Sequence, residues 1–142
     1  MLNPFALPVH PAIVHFPIAM LSAGWVCLLL RYATGDQRWD GRSRLFEVVG
    51  VVALPLVIVA GFIDTRGIGF LLEPRTDAPL IWHMTAGLVT AGAFTAHYLW
   101  RRRRSAAELS GSRAVGDVAL ATFGMIGLLA AGLLGSEMVF GT

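Results

Sequence analysis

Two groups of ionisable side chains stand in or beside long apolar stretches, and they are the residues whose types and spacing could do chemistry. The first comprises His10, His15, Asp64, His83 and Glu137; the second comprises Glu47, His97 and Asp117. Ionisable groups at membrane depth are costly and usually functional. Two imidazoles on parallel helices can be the axial ligands of a b-type haem or ligands of a single metal ion. His15 and His83 are the expected pair, with His10 beside them. Ala19 and Gly87, one turn further on, would leave room for a flat macrocycle. Asp64 or Glu137 would orient a histidine through its other ring nitrogen. Arg66 or Arg75 would meet haem propionates.

The plainer reading of the same residues is a structural polar cluster. Interfacial histidines cap helices, pair with Asp64 or Glu137 and stay hydrated, so neither haem b nor a metal ion is favoured over no cofactor. His97 lies fourteen residues after His83 and returns to nearly the same helix face at the other end. A second haem there would need a facing histidine, but the first helix offers Leu28, Leu29 and Leu30. His97 is instead expected to join Glu47 and Asp117 in a polar network neutralised by Arg101 or Arg113.

The elements that must position these residues follow from composition. The chain has 142 residues, 56% hydrophobic and only 14% charged, with mean hydropathy +0.67. Soluble domains carry about 25% charge, and disordered chains lack apolar residues. The single cysteine, Cys27, excludes a disulfide scaffold and a cysteine zinc site. The arginines cluster beside apolar stretches, which argues against nucleic acid despite the basic balance. Four apolar stretches reach the roughly 20 residues that a bilayer-spanning helix needs, over residues 11–31, 45–63, 80–100 and 114–135. Lipid forces each to satisfy its own backbone hydrogen bonds, so the expectation is one all-α domain over 1–142, a four-transmembrane-helix bundle. Pro17 and Pro55 should bend their helices. Residues 1–12 read as an extended lead-in, with Pro11 opening the first helix.

Arg31, Arg38, Arg42 and Arg44 flank the first connection; Arg101, Arg102, Arg103, Arg104 and Arg113 flank the third. The positive-inside rule puts both in the cytoplasm and both termini outside. The Arg101–Arg104 run is expected to be a topology anchor, and binding of anionic lipid headgroups is a sharper reading compatible with that. Setting His15 against His83 aligns 21–25 with 89–93, Ala60-Gly61 with Ala131-Gly132 and Glu47 with Asp117. This suggests two parallel-repeat helical hairpins. Small residues recur every fourth position, as in Gly127, Ala131 and Gly135, and let helices approach closely. No GxxxxGK[ST], HExxH or GxSxG motif occurs.

The segments VHPAIVHFPIA (9–19), AGFID ending at Asp64, His83 opening the third span and LLGSEMVF (133–140) resemble the bacterial integral-membrane domain-of-unknown-function family 2231. The resemblance covers nearly the whole chain and marks His10, Pro11, His15, Pro17, Asp64 and His83. Relatives often close with a histidine and glycine; here the chain ends Phe140-Gly141-Thr142, without that histidine. Some relatives look fused to Rieske-type or c-type cytochrome domains, which implies a redox neighbourhood. The expected function is a non-enzymatic subunit of the bacterial inner membrane, both termini periplasmic. It would contact lipid and pack with other membrane subunits of a larger energy-transducing or redox complex. The alternative is a b-type haem- or metal-binding electron carrier built on the outer histidines.

Overall fold

The computed structural model describes residues 9–64, 78–105 and 107–140. Five helices account for nearly all of them: α1 (Val9–Ile13), α2 (His15–Thr34), α3 (Arg38–Asp64), α4 (Ala78–Arg101) and α5 (Ser112–Phe140). Three helical stretches, His10–Thr34, Arg38–Ile63 and Ser112–Glu137, are long and apolar enough to cross a membrane. The fourth, α4, has 24 residues, about 36 Å of helix. Its threonines and two histidines lower its hydropathy.

The N-terminal helix is bent. Residues 9–13 are already helical, so the extended lead-in expected up to residue 12 gives way to α1, with Pro11 inside it. The break falls at Val14. Pro17 lacks an N–H and its ring crowds the carbonyl four residues back, so the helix cannot run straight through Ile13. Pro55 sits inside α3, which continues past it. Helix α3 begins at Arg38, well before the apolar stretch starts at Leu45. Its polar first turns are held by partners on other helices, described below. Gly35 ends α2 in the left-handed conformation (φ 72°), and its N–H closes on the Arg31 carbonyl. Glycine adopts that φ without a Cβ penalty, and the short connection 35–37 makes α2 and α3 antiparallel.

The four long helices form a square. Packing is closest within the hairpins α2–α3 and α4–α5; α2 also touches α5, and α3 touches α4. Leu21, Leu54, Phe94 and Met125, one from each long helix, meet in the middle, with Trp25, Val51, Ala91 and Leu128 against them. Outward positions such as Val52, Leu56, Val115 and Leu133 are apolar and exposed, as lipid-facing positions must be.

The two hairpins repeat each other, but in a different register from the one read in the sequence. A Cβ on Gly50 would lie 2.6 Å from the Leu21 side chain, and one on Gly124 would lie 2.9 Å from the Phe94 ring. The same relation holds between Gly61 and His10 and between Gly135 and His83. His10 therefore corresponds to His83 and Leu21 to Phe94, each pair 73 residues apart, and Gly50 to Gly124, 74 apart. The pairings of His15 with His83 and of Ala60-Gly61 with Ala131-Gly132 do not hold. Small residues are abundant in every span, so their alignment slips easily; the residue each glycine accommodates sets the register.

Candidate functional site

The polar residues gather at two ends of the bundle, separated by the apolar layer around Leu21 and Phe94. At one end, His10 of α1 faces His83 of α4 across the diagonal, with ring centroids 6.1 Å apart and planes at 86°. His10 Nδ1 lies 3.0 Å from the Val57 carbonyl oxygen of α3. His83 Nδ1 lies 2.9 Å from the Ala131 carbonyl oxygen of α5. A carbonyl only accepts, so Nδ1 carries a proton in each ring and donates it. Gly61 and Gly135 give the rings room: a Cβ would come within 3.2 Å of His10 Nδ1 and 3.1 Å of His83 Cε1.

This arrangement corrects the sequence reading in two places. His15 does not face His83; it is exposed on α2. Five residues of helix turn a side chain by about 140°, so when His10 points inward His15 points away. The orienting role expected of Asp64 or Glu137 falls, at both Nδ1 atoms, to main-chain carbonyls. Glu137 is exposed near the end of α5. The side chain of Asp64, together with Arg66 and Arg75, lies outside the described residues. Among the described residues, no group of three or more His, Cys, Asp or Glu side chains could hold a metal ion.

At the arginine-rich end, the structure brings Glu47, His97 and Asp117 together. His97 Nδ1 meets Glu47 Oε1, and His97 Nε2 lies 2.9 Å from Asp117 Oδ1. Both ring nitrogens are thus spent on carboxylates, which leaves none for a haem iron. The two hydrogen bonds require two protons among the three groups. Arg101, only 1% exposed, reaches Asp40 (2.7 Å), Ser43 (2.9 Å) and Glu47 (3.4 Å). Its Nε lies 3.3 Å from Asp117 Oδ1, an ion pair without hydrogen-bond alignment. Arg31 pairs with Asp40 at 2.8 Å and lies 3.7 Å from Asp117. Tyr32 donates its hydroxyl to Asp117 at 2.8 Å. Asp40, Glu47 and Asp117 thus face the buried Arg31 and Arg101, with Arg44 on Asp40 as well.

Helical phase explains which residues enter this network. Arg31 continues the buried row Leu21, Gly24 and Leu28 of α2; Asp40, Ser43 and Glu47 form one face of α3; His97 and Arg101 are one turn apart on α4. Arg101 is therefore not part of an exposed anchor. Of the four-arginine run, Arg102 and Arg103 are exposed, while Arg104 stacks over Trp100. Arg113 is also exposed and takes no share in neutralising the cluster. Half-buried Arg44 seals the rim, bonding Asp40 and the carbonyls of Arg101 and Arg104. Sequence reasoning missed Arg31, Tyr32, Asp40 and Ser43. The available signal was that Arg31 and Asp40 keep the helical phase of apolar core positions.

Outside the spans, the Arg38 guanidinium and backbone N–H hold the Asp36 carboxyl below its ordinary range. The Ser105 backbone N–H and hydroxyl do the same for Glu108.

The fold and these two ends define an all-helical membrane protein: apolar helices around a buried ionic lock, with a histidine pair at the opposite end. The chain belongs to the family described as predicted membrane protein (DUF2231), which it matches over residues 6–142. No curated protein and no solved structure matches it.

Proposed function

We propose that this chain is a non-enzymatic membrane subunit of a larger energy-transducing or electron-transferring complex. Its histidine pair, His10 and His83, holds a redox-active metal centre there: b-type haem iron or a single transition-metal ion. One observation carries this reading. Two imidazoles from opposite hairpins meet across the bundle, each with Nδ1 committed to a main-chain carbonyl. An Nδ1–H bonded to a carbonyl is the usual way a protein orients a metal-binding histidine and sets Nε2 as the ligand atom. Two imidazoles on opposite sides of one ion, with bonds of ~2.0–2.1 Å, put their centroids about 6 Å apart, close to the spacing of this pair. The space one turn below His83 supports the same reading, since a Cβ on Gly87 would meet nothing within 4 Å. The arginine-rich connections belong on the cytoplasmic side of a bacterial inner membrane, with the histidine pair at the periplasmic side.

The test is an absorption spectrum of the protein purified in detergent from its native membrane, oxidised and then dithionite-reduced, with metal analysis on the same sample. A Soret band with a sharpened reduced α-band, or one metal per chain, is expected. Either signal should be lost in His10→Ala and His83→Ala and retained in His15→Ala. A featureless spectrum without stoichiometric metal would overturn the metal-centre reading.

A further inference from the structure

We propose that a shallow groove along α5 at the arginine-rich end binds one acyl chain of an anionic phospholipid. The groove is open along one side, has a volume of about 570 Å³, and is lined by Val115, Val118, Ala119, Phe123 and Ile126 of α5 and Tyr32 of α2. Its side chains follow the three-and-four spacing of a single helix face.

The polar atoms along this face are already engaged. The Tyr32 hydroxyl donates to Asp117, and the Thr122 hydroxyl oxygen accepts the Trp25 indole N–H at 3.0 Å. The wall offers an incoming group nothing but apolar contact, which selects a hydrocarbon chain over a polar ligand. From Ala114 to Ile126 the helix rises ~18 Å, close to one leaflet, half of the ~30 Å hydrocarbon core. The groove starts at the arginine level, and the exposed apolar face of α5 runs on beyond it through Leu129 and Leu133.

Charge selects the headgroup. Arg113 immediately precedes Ala114, which lines the groove, and Arg113, Arg102 and Arg103 are all exposed at that end. The single acid of this connection, Glu108, is engaged by Ser105. Exposed guanidinium groups that outnumber the one acid of this connection suit a phosphate-bearing anionic headgroup.

The purified full chain is equilibrated with vesicles of phosphatidylglycerol or of phosphatidylcholine, returned to detergent and weighed by native mass spectrometry. One phosphatidylglycerol retained per chain, at least tenfold over phosphatidylcholine, is expected. Ala119→Trp fills the groove and should cut occupancy at least tenfold, with helix content by circular dichroism unchanged. Replacing Arg102, Arg103 and Arg113 by Gln leaves the groove intact and should abolish the preference between the two lipids. Equal retention of both lipids by the unmodified chain, or full phosphatidylglycerol occupancy in Ala119→Trp, overturns the proposal. So does a photo-crosslinker at Val118 that captures a protein rather than lipid in native membranes, since it assigns the groove to a partner helix.

Discussion

The two ends of the bundle use the same residue type in opposite ways. His97 sits between Glu47 and Asp117 with both ring nitrogens consumed, in a network of charges that closes on itself. His10 and His83 each commit Nδ1 to a neutral main-chain carbonyl. The first arrangement ties four helices together and has nothing left to offer a ligand. The second fixes a ring orientation without adding charge. A histidine between two acids is a fastener; a histidine on a carbonyl is aimed.

The largest effect should come from opening the fastener. Asp117 is fully buried, and Asp117→Leu strips partners from His97, Arg101, Arg31 and Tyr32 together. Breaking such a buried network costs ~3–5 kcal/mol, to be read from equilibrium unfolding in mixed detergent–SDS micelles. His83→Leu removes one hydrogen bond and should cost about 1 kcal/mol in the same assay. Equal losses at the two ends would break the comparison.

Next in size are the glycines of the central layer. Gly50→Val and Gly124→Val push into Leu21 and Phe94 and should each cost ~1–3 kcal/mol by overpacking. Gly132→Ala, where a Cβ meets nothing within 4 Å, should be neutral or stabilising by up to ~1 kcal/mol through helix propensity. If Gly132→Ala proves as damaging as the other two, the packing account fails.

A smaller change in stability but a larger one in binding is expected where glycine touches histidine. Gly61→Ala and Gly135→Ala bring a Cβ within 3.2 and 3.1 Å of the rings. If His10 and His83 hold a metal centre as proposed, both variants should weaken its occupancy at least tenfold while moving the unfolding midpoint little. Spectra normalised to protein give the measurement, and unaltered occupancy in both variants would argue that ring placement is not what holds the centre.

Surface carboxylates give the smallest effect. Asp36 and Glu108 are held below their ordinary range, so each contributes stability above the unfolded carboxyl value of about 4. That contribution disappears as pH falls through the lower folded-state value. Melting curves of Asp36→Asn and Glu108→Gln should lie slightly below those of the unmodified protein near neutral pH and converge with them in acid.

Much of this molecule was legible along the chain. Apolar length set the number of helices, because lipid leaves an isolated backbone no other way to satisfy its hydrogen bonds. Glu47, His97 and Asp117 could be assigned to one depth by counting residues along antiparallel spans. Depth, however, is all that such counting yields. Whether His10 or His15 turns inward depends on the rotation of a helix that bends at Val14, ahead of Pro17. Whether Arg101 anchors to lipid or enters the core depends on the face that α4 turns toward α3 and α5. Those rotations are settled by packing between segments far apart in sequence: Leu21 against Gly50, Phe94 against Gly124, and each histidine against its own glycine. Only the assembled bundle could choose them, since side chains on one helix carry no record of which neighbour will fill the space beside them.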